Sequence, residues 1–220
     1  MKPVGILGGM GPEATILLMQ KVLAAVPARD DGDHVPLIVH QNPAVPSRIA
    51  HLIDATGPSP APTLRRMAED LRAAGAQALA MPCNTAHAYK DVLGDTGLPF
   101  LDMIEVTADR LRGRIGMLAS PATRRAAVFE AAFAARGLTP VWAEGEDEAL
   151  LAIIRAVKAG RTDPAPLARI ARALARECDH LLVACTELSL LTPALAGLEW
   201  TDSLDCLTDT IVGFAKGSTA

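Results

Sequence analysis

The sequence of 220 residues predicts an α/β protein made of two pseudo-symmetric halves, each an open parallel sheet, with a cleft between them. Three observations carry that expectation. Short apolar runs alternate with longer segments of helical period, the pattern of parallel strands covered by helices. Eight such runs divide into two sets of four near residue 103. The two sets also resemble one another in detail. Val4-Gly5-Ile6-Leu7 runs into Gly11-Pro12 as Ile115-Gly116-Met117-Leu118 runs into Ser120-Pro121. Ala78-Leu79-Ala80-Met81 leads to Cys83-Asn84-Thr85 as Leu181-Leu182-Val183-Ala184 leads to Cys185-Thr186-Glu187.

In chain order, Val4–Leu7 is a short apolar run of the kind buried on both sheet faces. Pro12 then opens a helix, where its missing N–H costs least. Val35–His40 is the second strand. Gly57-Pro58-Ser59-Pro60-Ala61-Pro62 reads as an exposed loop within the first half. Leu64–Ala74 follows as a helix, because Leu64, Met67, Ala68 and Leu71 share one face. Ala78–Met81 and Pro99–Asp102 complete the first four strands. Ile104–Leu111 is the helix that leads into the second half. There Arg114–Leu118, Thr139–Trp142, His180–Ala184 and Leu198–Thr201 are strands, and Ala122–Ala135 and Leu167–Glu177 are helices.

Composition excludes several functions. Half the residues are hydrophobic but only 3% are aromatic, so Ala, Leu, Val and Ile must build the core. The net charge is −4, and Arg124-Arg125 is too short a basic run to track phosphates, which argues against nucleic acid. No apolar stretch approaches the ~18 residues of a membrane helix. Gly8, Gly9, Gly11, Pro12 and Glu13 interrupt any signal-peptide core, so a cytoplasmic location is expected. The four cysteines form no C-x-x-C pair, which removes the usual zinc and thioredoxin spacings. No metal site is expected.

Two motifs carry chemistry. Gly9-Met10-Gly11-Pro12-Glu13-Ala14 fits a dinucleotide loop, but the second strand ends His40-Gln41-Asn42 without the acidic ribose ligand. Pro12 and Glu13 would also obstruct a pyrophosphate. A tight turn offering N–H groups to a carboxylate suits these residues better. Cys83 and Cys185 each follow a strand and precede a candidate helix cap, Asn84-Thr85 or Thr186, where a helix N-terminus would stabilise a thiolate. Cys178 and Cys206 read as small core residues. Two thiols across a cleft suit inversion of a stereocentre: one removes a proton and the other delivers one to the opposite face. Asn84, Thr85, Ser120, Thr123 and Thr186 are candidates to stabilise the developing charge. Arg48 can grip a carboxylate with parallel hydrogen bonds. Lys158 is a second candidate cation, with dipole compensation at a helix C-terminus as its alternative role. His87 and Glu187 trail the two cysteines and could tune the thiols.

At Gly5-Ile6-Leu7-Gly8-Gly9-Met10-Gly11-Pro12, Pro82-Cys83-Asn84-Thr85-Ala86-His87 and Cys185-Thr186-Glu187-Leu188, the sequence resembles the aspartate/glutamate racemase family, most closely its aspartate racemase branch. The resemblance implies a cofactor-independent two-base racemase acting on a small dicarboxylic amino acid, usually as a homodimer. It implies Cys83 and Cys185 as proton donor and acceptor. Met10, Arg48, Asn84, Thr85, Ser120, Thr123, Lys158 and Thr186 fall on its substrate-binding positions. It further implies an N-terminal domain of 1–103 plus 204–220 and a C-terminal domain of 104–203. Ser47 and Ser120 depart from the family's commoner Asp and Thr. A maleate isomerase using one cysteine as nucleophile, and a non-catalytic ligand-binding module, are the alternatives.

Overall fold

The computed structural model describes residues 1–217. The chain forms two four-stranded parallel sheets of the same order. The first comprises β1 (Val4–Gly8), β2 (Leu37–Gln41), β3 (Ala78–Ala80) and β4 (Phe100–Leu101), ordered β2-β1-β3-β4. The second comprises β5 (Arg114–Ala119), β6 (Thr139–Trp142), β7 (His180–Ala184) and β8 (Trp200–Asp202), ordered β6-β5-β7-β8. Ile6 lies beside Val39 and Ala80, and Met117 lies beside Trp142 and Leu182. The paired half-sequences are therefore paired structures.

Helices α1 (Pro12–Ala24), α2 (Arg48–Leu52), α3 (Ala61–Ala73) and α4 (Met103–Ala108) belong to the first stretch of chain. Helices α5 (Pro121–Arg125), α6 (Glu130–Arg136), α7 (Asp147–Lys158), α8 (Ala165–Leu174) and α9 (Ser203–Lys216) follow. Pro12 and Pro121 both open helices, as their neighbours predicted. The central strands carry matching glycines for a packing reason. A Cβ on Gly5 would sit 2.9 Å from Ala76 Cβ, and one on Gly116 would sit 2.6 Å from Cys178 Sγ. Both strands need a bare backbone so that the covering segment can close on them.

Each sheet has an apolar cluster on either face. Val4, Ile6, Leu18, Leu204, Leu207 and Ile211 share one cluster, so α9 packs on the first sheet although it follows the second. Of the expected returning segment 204–220, residues 218–220 lie outside the described residues. Leu7, Met67, Leu71 and Leu79 fill the other face of that sheet. Leu118, Ile154, Leu167 and Val183 form one core of the second half, and Met117, Phe129, Phe133 and Leu182 form the other.

Several boundaries differ from expectation. Strand β2 starts at Leu37, because Pro36 has no N–H to give a ladder and only accepts from Val4 N at 3.1 Å. Strand β4 stops at Leu101, since Asp102 turns to cap α4, accepting from Ile104 N at 2.9 Å. Strand β8 runs from Trp200 rather than Leu198. Of the Pro-rich stretch, only its start is loop: Pro60 is buried and Ala61 and Pro62 begin α3. The expected helix 122–135 is two helices, broken at Ala127 with φ +52°, which seats both Phe129 and Phe133 in the core. Both cysteine motifs run into 3₁₀ segments, Thr85–Thr96 and Leu188–Leu195, in place of capped α-helices.

Candidate active site

The carboxyl ends of β1, β3, β5 and β7 meet in one cleft, the place where open α/β sheets bind ligands. Each contributes through the turn that follows it. Met10 comes from the turn after β1, Cys83 and Thr85 from that after β3, and Ser120 from the end of β5. Cys185 and Glu187 come from the turn after β7. Arg48, the first residue of α2, and Lys158, the last of α7, complete the wall. The cavity between them is about 30 Å³, room for about two waters.

Other predicted residues stand behind this wall and brace it. Thr85 Oγ1 and Thr123 Oγ1 are 2.8 Å apart, a hydrogen bond that ties the two halves together. Asn84 Nδ2 donates to Ser203 Oγ at 3.0 Å, and Ser203 donates on to Val183 O. Thr186 Oγ1 donates to Pro82 O at 3.2 Å, again between halves. His87 Nδ1 lies 2.9 Å from Cys83 O, so its contact is with the cysteine's carbonyl and not its sulfur. Burial lowers the His87 pKa, against the pull of Asp102, which favours the neutral ring.

The second thiol departs from expectation. Neither cysteine motif has a side-chain helix cap, and the one backbone N–H that eases Cys185 towards thiolate is outweighed. Burial first, and then the Glu187 carboxylate, push its pKa well above the usual thiol range. Cys185 Sγ donates to Glu187 Oε2 at 3.2 Å, and Lys158 Nζ meets Glu187 Oε1 at 3.2 Å. Lys158 and the Glu187 backbone N–H pull the thiol pKa the other way. Lys158 thus faces the cleft, through a carboxylate, as well as ending a helix.

Arg48 donates from Nη2 to Met10 O at 3.1 Å and from Nη1 to Pro46 O at 3.1 Å. Its guanidinium is held by carbonyl oxygens. Three lining residues were not singled out as site residues: Ser47, Ile49 and Ile154. Ile154 precedes Lys158 by one helical turn, so periodicity from Lys158 could have found it. Glu13 was also missed as part of the site's surroundings. Its Oε2 is buried without a hydrogen-bond partner, and a Cβ on Gly11 would lie 3.0 Å from it and 3.8 Å from Glu187 Oε1. Two carboxylates flanking the glycine loop are a poor setting for a pyrophosphate. Among the described residues, no group of three or more His, Cys, Asp or Glu is placed to hold a metal.

Residues 7–211 match the family model described as Asp/Glu/Hydantoin racemase. The broad specificity amino-acid racemase RacX of Bacillus subtilis is 24% identical over 221 residues, covering 95% of this chain and 96% of that protein. The structure of Picrophilus torridus aspartate racemase superposes with a TM-score of 0.90 at 25% identity, covering 98% of this chain and 95% of that one. PH1733, an aspartate racemase homologue from Pyrococcus horikoshii OT3, has the same fold with a TM-score of 0.75 at 21% identity, over 98% and 100% of the two chains.

Proposed function

The chain belongs to the Asp/Glu/hydantoin racemase family and is an amino-acid racemase, and on that premise we propose that it interconverts L- and D-aspartate through its two cleft thiols. One observation carries the reading. Cys83 and Cys185, from equivalent turns after β3 and β7, line the same small cavity together with the cations Arg48 and Lys158. Two thiols from opposite halves suit proton transfer on opposite faces of one carbon. Two cations suit a substrate with two carboxylates.

In this reading Arg48 and Lys158 hold the carboxylates, while Met10, Ile49 and Ile154 enclose the carbon skeleton. One cysteine, as thiolate, takes the α-hydrogen as a proton, and the C–H electron pair moves into an enediolate on the α-carboxylate. Hydroxyls of Thr85 and Ser120 and nearby backbone N–H groups offset that charge. The other cysteine then gives its S–H proton to the opposite face, and a C–H bond forms with inverted configuration. Protons balance without a cofactor. Asn84, Thr123, Thr186 and His87 act by bracing the turns that present these groups. The homodimer expected from the resemblance is part of the proposal, and sedimentation of the purified protein tests it.

The deciding experiment is proton NMR of the enzyme with L-aspartate in heavy water, without added pyridoxal phosphate, followed by chiral analysis. Loss of the α-proton signal with appearance of D-aspartate is the expected result. Absence of exchange removes aspartate as substrate. Glutamate, other amino acids and then maleate follow in that order, with fumarate formation and a mass adduct on one cysteine marking the isomerase alternative.

A further inference from the structure

The two thiols occupy equivalent places in the fold but unlike surroundings. Two residues after Cys83 stands Thr85, which is uncharged and bonded to Thr123 Oγ1 at 2.8 Å. Two residues after Cys185 stands Glu187, whose side chain is only 7% exposed. One Glu187 oxygen accepts from Cys185 Sγ at 3.2 Å and the other meets Lys158 Nζ at 3.2 Å. Among the described residues, no carboxylate is hydrogen-bonded to the Cys83 sulfur. A carboxylate accepting from a buried thiol holds the proton on sulfur, since ionisation would set two negative charges side by side.

We propose that Glu187 is a positioning residue that keeps the exchangeable proton of the cysteine pair on Cys185, making Cys83 the base of the resting enzyme and Cys185 its acid. The proposal rests on the two-thiol reading above. Lys158 sets the strength of the effect, because it neutralises part of the Glu187 charge. The remaining charges around the cleft are Glu13 on α1, beyond Gly11 from Glu187, and Arg48 on α2. Glu13 acts in the same direction as Glu187, and Arg48 against it. His87, behind Cys83, is favoured as neutral by burial.

In one turnover the α-proton passes to the Cys83 thiolate and the Cys185 S–H proton passes to carbon. The enzyme is left with a Cys83 thiol and a Cys185 thiolate beside Glu187. That state is disfavoured, so the proton returns to Cys185 unless the opposite enantiomer enters first. The cycle is thereby asymmetric although the fold is not.

The test is alkylation of the substrate-free enzyme by iodoacetamide across a range of pH, read separately at Cys83 and Cys185 by peptide mass spectrometry. Wild type, Glu187→Gln and Lys158→Met are compared, with circular dichroism to establish that each is folded. In wild type at pH 7, Cys83 is alkylated first. Glu187→Gln raises the rate at Cys185 about tenfold or more and leaves Cys83 within about twofold. Lys158→Met lowers the rate at Cys185, the opposite sign, and carries the test alone if Glu187→Gln does not fold. Earlier alkylation of Cys185 in wild type, or an unchanged Cys185 rate in the folded variants, overturns the proposal. The readout needs no turnover. Failed exchange with aspartate and the other amino acids would therefore remove the racemase reading separately from this one.

Discussion

Arg48 shows how one side chain can serve both the fold and the site. Its guanidinium ties Met10, on the glycine turn, to Pro46, on the loop entering α2. Arg48→Ala should lower kcat/KM for aspartate by about 10- to 100-fold, the scale of one or two hydrogen bonds to a charged group, mainly through KM. Unchanged aspartate kinetics would remove its carboxylate role. Cys83→Ala and Cys185→Ala should each lower racemisation by about 10²- to 10⁴-fold, the usual contribution of a positioned acid or base, while the melting transition survives. Retained racemisation in either variant would sink the two-base mechanism. At this scale the reading from sequence was uneven for a physical reason. Cys83, Cys185, Thr85, Ser120 and Met10 sit in strand-end turns, which local patterns mark. Ile154 could be reached only by stepping back one helical turn from Lys158. Ile49 and Glu13 are near the site because separate elements converge there, and no local pattern records that.

At the scale of elements, two turns decide whether the site is built. Gly9 has φ +92°, and a Cβ there would collide with the backbone of Asn42 after β2. Its N–H donates to Thr15 Oγ1 at 2.9 Å, which anchors the turn on α1. Gly9→Ala should cost about 2–4 kcal/mol in urea unfolding, from left-handed strain plus the clash, and should displace Met10. The second is the cap of α9. Asp202 accepts from Leu204 N at 2.9 Å and from Ser189 Oγ at 2.9 Å, its Oδ2 has no partner, and burial pushes its pKa up to about 6. A carboxyl whose folded pKa is raised stabilises the fold below its unfolded pKa and loses that contribution as pH rises through about 6. A rise from 3.8 to about 6 amounts to about 3 kcal/mol over the whole transition, taking ~1.4 kcal/mol per pH unit. Asp202→Asn keeps the two accepted bonds and should flatten that decline relative to wild type. Equal slopes for the two proteins would refute the assignment. The split of 122–135 into α5 and α6 belongs here too. The apolar spacing there suits one helix, but both Phe129 and Phe133 are accommodated only with a break between the two pieces.

Across the whole molecule, the cleft is narrow and bridged. Its volume of about 30 Å³ is far below the ~300 Å³ at which small-molecule pockets usually begin, and on that ground we propose that the halves separate to admit substrate. An exposed bond spans them, from Arg125 Nη1 on α5 to Ile53 O just after α2, at 2.9 Å. The units that move are then 1–103 with the returning chain from 204, and 104–203. Removing the bridge by Arg125→Ala should speed association of aspartate about two- to tenfold in stopped flow, the range of one modest hydrogen bond. An unchanged rate would leave Arg125 without a part in opening. Sequence alone determined the α/β class, the duplicated halves and the pair of strand-end cysteines, because strand and helix periods and glycine-proline punctuation are local properties of the chain. Only the tertiary structure decided that both cysteines share one cavity and that Glu187 joins Cys185 to Lys158. It also decided that Asn84, Thr123 and Thr186 brace the wall from behind, since these depend on how separately formed elements pack across long chain distances.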